Sequence, residues 1–267
     1  MHGLGNDFIV IDDLSGTPKI ISPELAKKMC DRRFGIGADQ ILWLKKPLDT
    51  HLDARMEILN ADGSSAEMCG NGIRAVAIYL RDHVQNAGTR KTDYAIETLA
   101  GVIRVLFRGD DVEVDMGSPR LGKGCEQGGE LIEIEGQMFR FFEVSMGNPH
   151  AVIFIEDLDA VPLEKIGPLI ECHPRFPGKT NVEFVQVVDA HTIRVRVWER
   201  GAGITLACGT GACAAAVAAL QVGQVKNPVL VQLPGGTLRI SWSGATVTMT
   251  GPATEVFSGV YLSTTRS

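Results

Sequence analysis

Two short stretches govern the reading of this chain: Met68-Cys69-Gly70-Asn71-Gly72-Ile73 and Ala207-Cys208-Gly209-Thr210-Gly211-Ala212. Each sets a cysteine before Gly-x-Gly and then a proline-free run, IRAVAIYL in the first and ACAAAVAAL in the second. The spacing predicts a helix that begins at each cysteine. The second, Gly209 to Leu220, is apolar on every face and so must be buried on all sides. The first, residues 70–83, is nearly as apolar until Arg81. A thiol at a helix start faces unpaired N–H groups and the positive end of the helix dipole. That placement is expected to lower its pKa and to set backbone donors beside the sulfur. Glycines at 70, 72, 209 and 211 let a ligand approach the backbone closely.

Outward from these stretches the two halves of the chain repeat one another. Gly5-Asn6-Asp7-Phe8 matches Gly147-Asn148-Pro149-His150, and Arg33-Phe34 ahead of Gln40 matches Arg175-Phe176 ahead of Asn181. Ala100 to Val105 matches Gly235 to Ile240. The matches keep their order and lie about 140 residues apart, the mark of an internal duplication. The boundary is expected near Gly109 to Val114. It gives a first lobe, 1–112, to which 254–267 returns, and a second lobe, 113–253.

Most of each copy reads as short strands punctuated by Gly and Asp. In the first half these are residues 9–13, 41–46, 54–59, 94–98, 102–107 and 112–116. In the second they are 144–156, 182–188, 192–199, 229–233, 237–242 and 245–249, with a turn at Leu233-Pro234-Gly235-Gly236. Pro23 to Arg32 and Pro162 to Cys172 read as flanking helices. The expected fold class is α/β, of the α+β type. It has two pseudo-symmetric lobes, each a mostly antiparallel sheet or barrel wrapped around a central buried helix, with the active site in the cleft between them.

Composition narrows the chemistry. A formal net charge of −6 and the lack of any Lys/Arg run argue against nucleic acid as a partner. No stretch reaches the ~18 consecutive apolar residues of a membrane span. The opening MHGLGNDFIVID lacks the basic and apolar regions of a signal peptide, so a cytoplasmic location is expected. Six scattered cysteines without a Cys-x-x-Cys pair predict neither a disulfide framework nor a zinc site. No metal ligand set is expected, and neither a phosphate loop nor a dinucleotide fingerprint is present. Cys30, Cys125, Cys172 and Cys213 have no counterpart in the other copy and read as packing.

The paired cysteines imply proton chemistry. Anions bind at helix N-termini, and two such ends on one carboxylate would stabilise the charge that develops when a neighbouring C–H is broken. Two thiols on opposite faces would then invert a carbon centre, one removing a proton and the other delivering one.

Longer motifs carry a family resemblance. Residues 60–72, NADGSSAEMCGNG, resemble one signature of the diaminopimelate epimerase family. Glu199-Arg200-Gly201 with Leu206 to Ala212 resembles the other. His2 to Phe8 and Met146 to His150 are also similar to family segments. The resemblance implies interconversion of LL- and meso-2,6-diaminopimelate without pyridoxal phosphate or metal, in the synthesis of lysine and peptidoglycan precursors. It implies that Cys69 and Cys208 are the acid–base pair, with His150 and Glu199 as supporting catalytic groups. It places Asn6, Gln40, Asn60, Asn148, Asn181, Glu199 and Arg200 around the substrate, and Gly70-Asn71 and Gly209-Thr210 at the reacting carboxylate.

These residue types suit a substrate with two amino-carboxylate ends. Arg200 can grip a carboxylate bidentately, and the asparagines offer donors and acceptors together. The expected partner is this small molecule, with no nucleic acid or membrane; a homodimer is left open by the sequence. Alternatives are a proline or hydroxyproline racemase-like enzyme, a non-catalytic diamino-acid-binding protein and a thiol redox sensor.

Overall fold

Runs rich in valine, isoleucine and phenylalanine become paired strands throughout the computed structural model, which describes residues 1–16, 20–84 and 91–262. Two units emerge: Met1–Val112 with the segment from Pro252 onward, and Glu113–Gly251.

The first unit contains β1 (His2–Gly3), β2 (Asn6–Asp13), α1 (Pro23–Cys30), β3 (Gln40–Lys45), β4 (Ala54–Asn60), β5 (Ser65–Ala66), α2 (Gly70–Tyr79), β6 (Asp93–Thr98) and β7 (Gly101–Arg108). The chain passes to the second unit within β8 (Asp111–Asp115). There follow β9 (Arg120–Leu121), β10 (Glu130–Ile134), β11 (Gln137–Ser145), β12 (Pro149–Phe154) and α3 (Leu163–Glu171). The unit continues with β13 (Asn181–Asp189), β14 (Thr192–Glu199), β15 (Gly203–Ile204), α4 (Gly209–Gln221), β16 (Val229–Leu233), β17 (Gly236–Trp242) and β18 (Val247–Gly251).

The duplication is visible in the pairing. In the first unit β2 runs parallel to β3, β3 antiparallel to β4, β4 parallel to β6, and β6 antiparallel to β7. In the second, β12 with β13, β13 with β14, β14 with β16, and β16 with β17 repeat that series. Each sheet is therefore mixed. All four parallel links need long crossovers, which α1, α2, α3 and α4 supply in turn.

Register equates individual residues. Phe8 pairs with Gln40 and His150 with Asn181, so Phe8 and His150 share one repeat position. Gln40 pairs with Asn60, while Val182 pairs with Trp198. Glu199 therefore occupies the position that Asn60 holds in the first unit. By the same counting Glu183 stands where the first unit has Leu42.

The central helices behave as their composition dictates. From Ala214 to Ala219 every residue of α4 is fully buried. Small side chains let strands β11–β14 and β16–β18 pack close around it. In the first unit α2 packs on β1, β2 and β7. Flanking helix α1 covers β3 through Ala26, Met29 and Cys30, and α3 lies on an aromatic core that includes Phe139, Phe141 and Phe184.

Two local expectations fail. Residues 144–156, expected as one strand, form the end of β11 and all of β12, with Ser145 facing Pro149. Gly147, at φ +98°, turns the chain back where a side chain would be strained. The hairpin of β10 and β11 was not expected at all. Among the described residues no helix is long and apolar enough to cross a membrane.

Candidate active site

In the first unit Cys69 caps α2 with extended backbone angles, and its Sγ accepts the Gly72 N–H at 3.3 Å. The thiol donates to Asn6 Oδ1 at 3.7 Å, which also accepts from Asn71 Nδ2 at 3.3 Å. Asn6 Nδ2 in turn donates to Asp39 at 2.8 Å. The Arg32 guanidinium spans Asp7 and Asp39 at 2.7 and 2.9 Å, fixing this end of the set. Gln40 donates to Asn60 Oδ1 at 2.8 Å, leaving Gln40 Oε1 buried with no hydrogen-bond partner among the described residues. Behind Asn71 lies Arg74, fully buried, which donates to Asn71 Oδ1 at 3.0 Å and to the Pro252 carbonyl at 3.1 Å. Asn6, Gln40, Asn60, Gly70 and Asn71 are thus gathered on the strand ends and helix start that carry Cys69.

In the second unit Cys208 caps α4 in the same way, with Gly211 N–H donating to Sγ at 3.3 Å. Thr210 Oγ1 lies 3.5 Å from that sulfur and accepts from Asn148 Nδ2 at 3.3 Å. Asn148 Oδ1 is 3.0 Å from His150 Nε2, and His150 Nδ1 is 2.7 Å from Glu183 Oε1. Asn181 accepts the Arg200 N–H at 2.9 Å, while the Arg200 guanidinium donates to the Gly178 carbonyl at 3.2 Å. Glu199 accepts from the Thr205 hydroxyl. The Glu199-Arg200-Gly201 turn is braced by Glu171, whose carboxylate accepts from Trp198 Nε1 at 2.8 Å and from Gly201 N–H at 3.1 Å. His150, Asn148, Asn181, Glu199, Arg200, Gly209 and Thr210 therefore belong to the unit of Cys208.

The expected drop in thiol pKa does not occur at Cys208. Burial pushes this thiol well above its ordinary value, and the Glu199 and Glu183 carboxylates push it further. The bonds from Thr210 and Gly211 act the other way but are outweighed. The helix start supplies donors, as expected, but a fully desolvated sulfur flanked by two carboxylates resists ionisation. Burial likewise raises Glu199, against hydrogen bonds from Thr205 and Cys208.

Sequence inspection passed over Arg32, Asp39, Arg74, Glu171, Thr205 and Glu183. Glu183 did leave a signal: a carboxylate in the middle of VEFVQVV, a run that otherwise reads as a buried strand. Among the described residues there is no cluster of three or more His, Cys, Asp or Glu that could hold a metal ion.

The chain matches the family model described as diaminopimelate epimerase over residues 1–122 and 142–256. It is 50% identical to diaminopimelate epimerase 1 of a Nostoc species, over 97% of this chain and 96% of that protein. It is also 50% identical to diaminopimelate epimerase of Carboxydothermus hydrogenoformans, over 98% of this chain and 97% of that protein. Among solved structures, a probable proline racemase from Agrobacterium radiobacter is similar with a TM-score of 0.72 at 18% identity, covering 99% of this chain and 92% of that one. A Bacillus anthracis protein of the PhzF family is similar with a TM-score of 0.70 at 15% identity, covering 94% and 92%. Those distant likenesses show the two-lobed epimerase fold, and the family match with full-length relatives at half identity goes further: this chain belongs to the diaminopimelate epimerase family.

Proposed function

We propose that this protein is an isomerase that interconverts LL- and meso-2,6-diaminopimelate by two-base proton transfer at one Cα, with Cys69 and Cys208 as the two bases. One observation carries the reading. Each unit presents a cysteine at the N-cap of a buried helix, with a backbone N–H on the sulfur, at the same repeat position.

One sulfur acts as thiolate and takes the α-proton. The C–H electron pair passes into the adjoining carboxylate, whose developing charge meets the helix starts at Gly70-Asn71 and Gly209-Thr210. The other sulfur, as thiol, delivers its proton to the opposite face. Carbon is inverted, and the two cysteines have exchanged protonation states. Burial and the nearby carboxylates favour Cys208 as the protonated member of the pair before substrate arrives. Glu199, itself raised by burial, is suited to exchange a proton with that thiol, and His150 supports the same side. Asn6, Gln40, Asn60, Asn148, Asn181 and Arg200 hold the substrate's charged ends. The setting is lysine and peptidoglycan precursor synthesis in the cytoplasm, with no nucleic-acid or membrane partner and no cofactor in the proton transfer.

Conversion of LL-diaminopimelate in D2O tests the reading. Wild type is expected to epimerise and to wash deuterium into Cα, whereas Cys69→Ala and Cys208→Ala lose epimerisation. A protein that bound the amino acid but left Cα–H untouched would be a binder. Full activity in either alanine variant would rule out the two-base scheme.

A further inference from the structure

The two thiol environments differ behind the sulfur. In the first unit the repeat positions beneath the helix start hold Phe8 and Leu42, and Leu42 lies under Gly72: a Cβ there would meet Leu42 Cδ2 at 3.0 Å. In the second unit the same positions hold His150 and Glu183, both fully buried. A Cβ at Gly211 would meet Glu183 Oε1 at 2.7 Å. The fold needs only an apolar pair at this place, as the first unit shows. Glu183 is a costly substitute, because its Oε2 is buried with no hydrogen-bond partner among the described residues.

We propose that Glu183 is a positioning residue for epimerisation, which sets the polarity of a hydrogen-bonded chain running through His150, Asn148 and Thr210 to the Cys208 sulfur. The four links measure 2.7, 3.0, 3.3 and 3.5 Å in that order. His150 stands between two oxygens, Glu183 Oε1 and Asn148 Oδ1. The imidazole and carboxylate together must hold enough protons to serve both links, so the pair is neutral overall and Nε2 is a donor. Asn148 is then locked with its oxygen toward His150 and its amide N–H toward Thr210 Oγ1. With its oxygen already accepting, Thr210 has its own proton free to aim at Sγ. That proton is the donor a developing thiolate needs. Without the Glu183 carboxylate, the imidazole can present a bare Nε2. Asn148 then turns over, and the Thr210 hydroxyl donates to Asn148 rather than to the sulfur.

The proposal rests on Cys208 being one of the two acid–base thiols, and the experiment separates the two ideas. Glu183→Gln keeps the shape and removes the charge; Glu183→Leu supplies the residue of the first unit. His150→Phe with Glu183→Leu supplies that unit's whole apolar pair, so a folded comparison exists even if a single change unfolds the protein. The readouts are kcat and KM for diaminopimelate epimerisation, and iodoacetamide labelling rates of Cys208 and Cys69 followed by peptide mass spectrometry.

In every folded variant kcat is expected to fall about tenfold or more, with a smaller change in KM. That is the scale of a mis-set catalytic group. Labelling of Cys208 is expected to slow by up to about tenfold, the lost hydrogen bond to the thiolate outweighing the relief of repulsion from the Glu183 charge, which alone would speed it, with Cys69 unchanged. Wild-type kcat in the Glu183 variants, or Cys208 labelling that speeds up as loss of the Glu183 charge alone would make it, overturns the proposal. So does equal slowing at both cysteines, which would mark a general structural role. Undiminished activity of Cys208→Ala would instead sink the two-base reading, while the labelling result would still report on the hydrogen-bonded chain.

Discussion

At the scale of single residues, the surroundings of Cys208 favour its thiol over its thiolate. Its raised pKa has burial as the first cause and the carboxylates of Glu199 and Glu183 as the next. Because only the thiolate reacts with iodoacetamide, labelling of Cys208 is expected to be slow near neutral pH. It should still be climbing above about pH 10, where an ordinary thiol of pKa about 8.5 has levelled off. Cys30, a buried packing residue whose pKa burial raises to about 11, should behave similarly, while exposed Cys172 reacts first. A Cys208 rate whose pH profile had its midpoint at or below about pH 8.5, an ordinary thiol's value, would contradict the burial effect. The residues around the thiols were legible to different degrees. Cys69, Cys208, Asn6 and Asn148 were marked by recurrence in the two halves. Arg74 was not, because a cation inside an apolar helix looks like an exposed face until Asn71 and the Pro252 carbonyl are seen beside it.

At the scale of elements, the Gly-x-Gly after each cysteine is a packing requirement as well as an opening for ligand. Gly211 is the sharper case, because a Cβ there would lie 2.7 Å from Glu183 Oε1 and 3.2 Å from the Cys208 sulfur. Alanine is the better helix former by roughly 1 kcal/mol, so Gly211→Ala should leave α4 formed. The added methyl must still push the carboxylate or the sulfur aside. Epimerase activity is expected to fall by roughly a hundredfold while the far-ultraviolet circular dichroism stays that of wild type. Near-wild-type turnover would show that the helix start tolerates the displacement. Helix positions were readable because a proline-free apolar run after a capping residue has few other outcomes. Strand partners were not, since periodicity says which face is buried but not which neighbour lies alongside. Hence the parallel pairs and the turn at Gly147 appeared only in the structure.

At the scale of the whole molecule, one duplicated scaffold carries two chemistries. The first unit seats its helix start on Phe8 and Leu42, and the second on His150 and Glu183. Replacing a buried ion pair by well-packed apolar residues is often neutral or stabilising by about 1–4 kcal/mol, whereas removing one partner costs about 3–5 kcal/mol. The apolar pair is already proven in this architecture by the first unit. His150→Phe combined with Glu183→Leu is therefore expected to leave stability unchanged or to raise it. His150→Phe alone strands the Glu183 carboxylate and is expected to lower stability by several kcal/mol. Urea unfolding of the three proteins, with a common m-value as the check on two-state behaviour, measures both differences. If the double variant proved as unstable as the single one, His150 and Glu183 would be holding the second unit together. Their polar character would then need no explanation from catalysis.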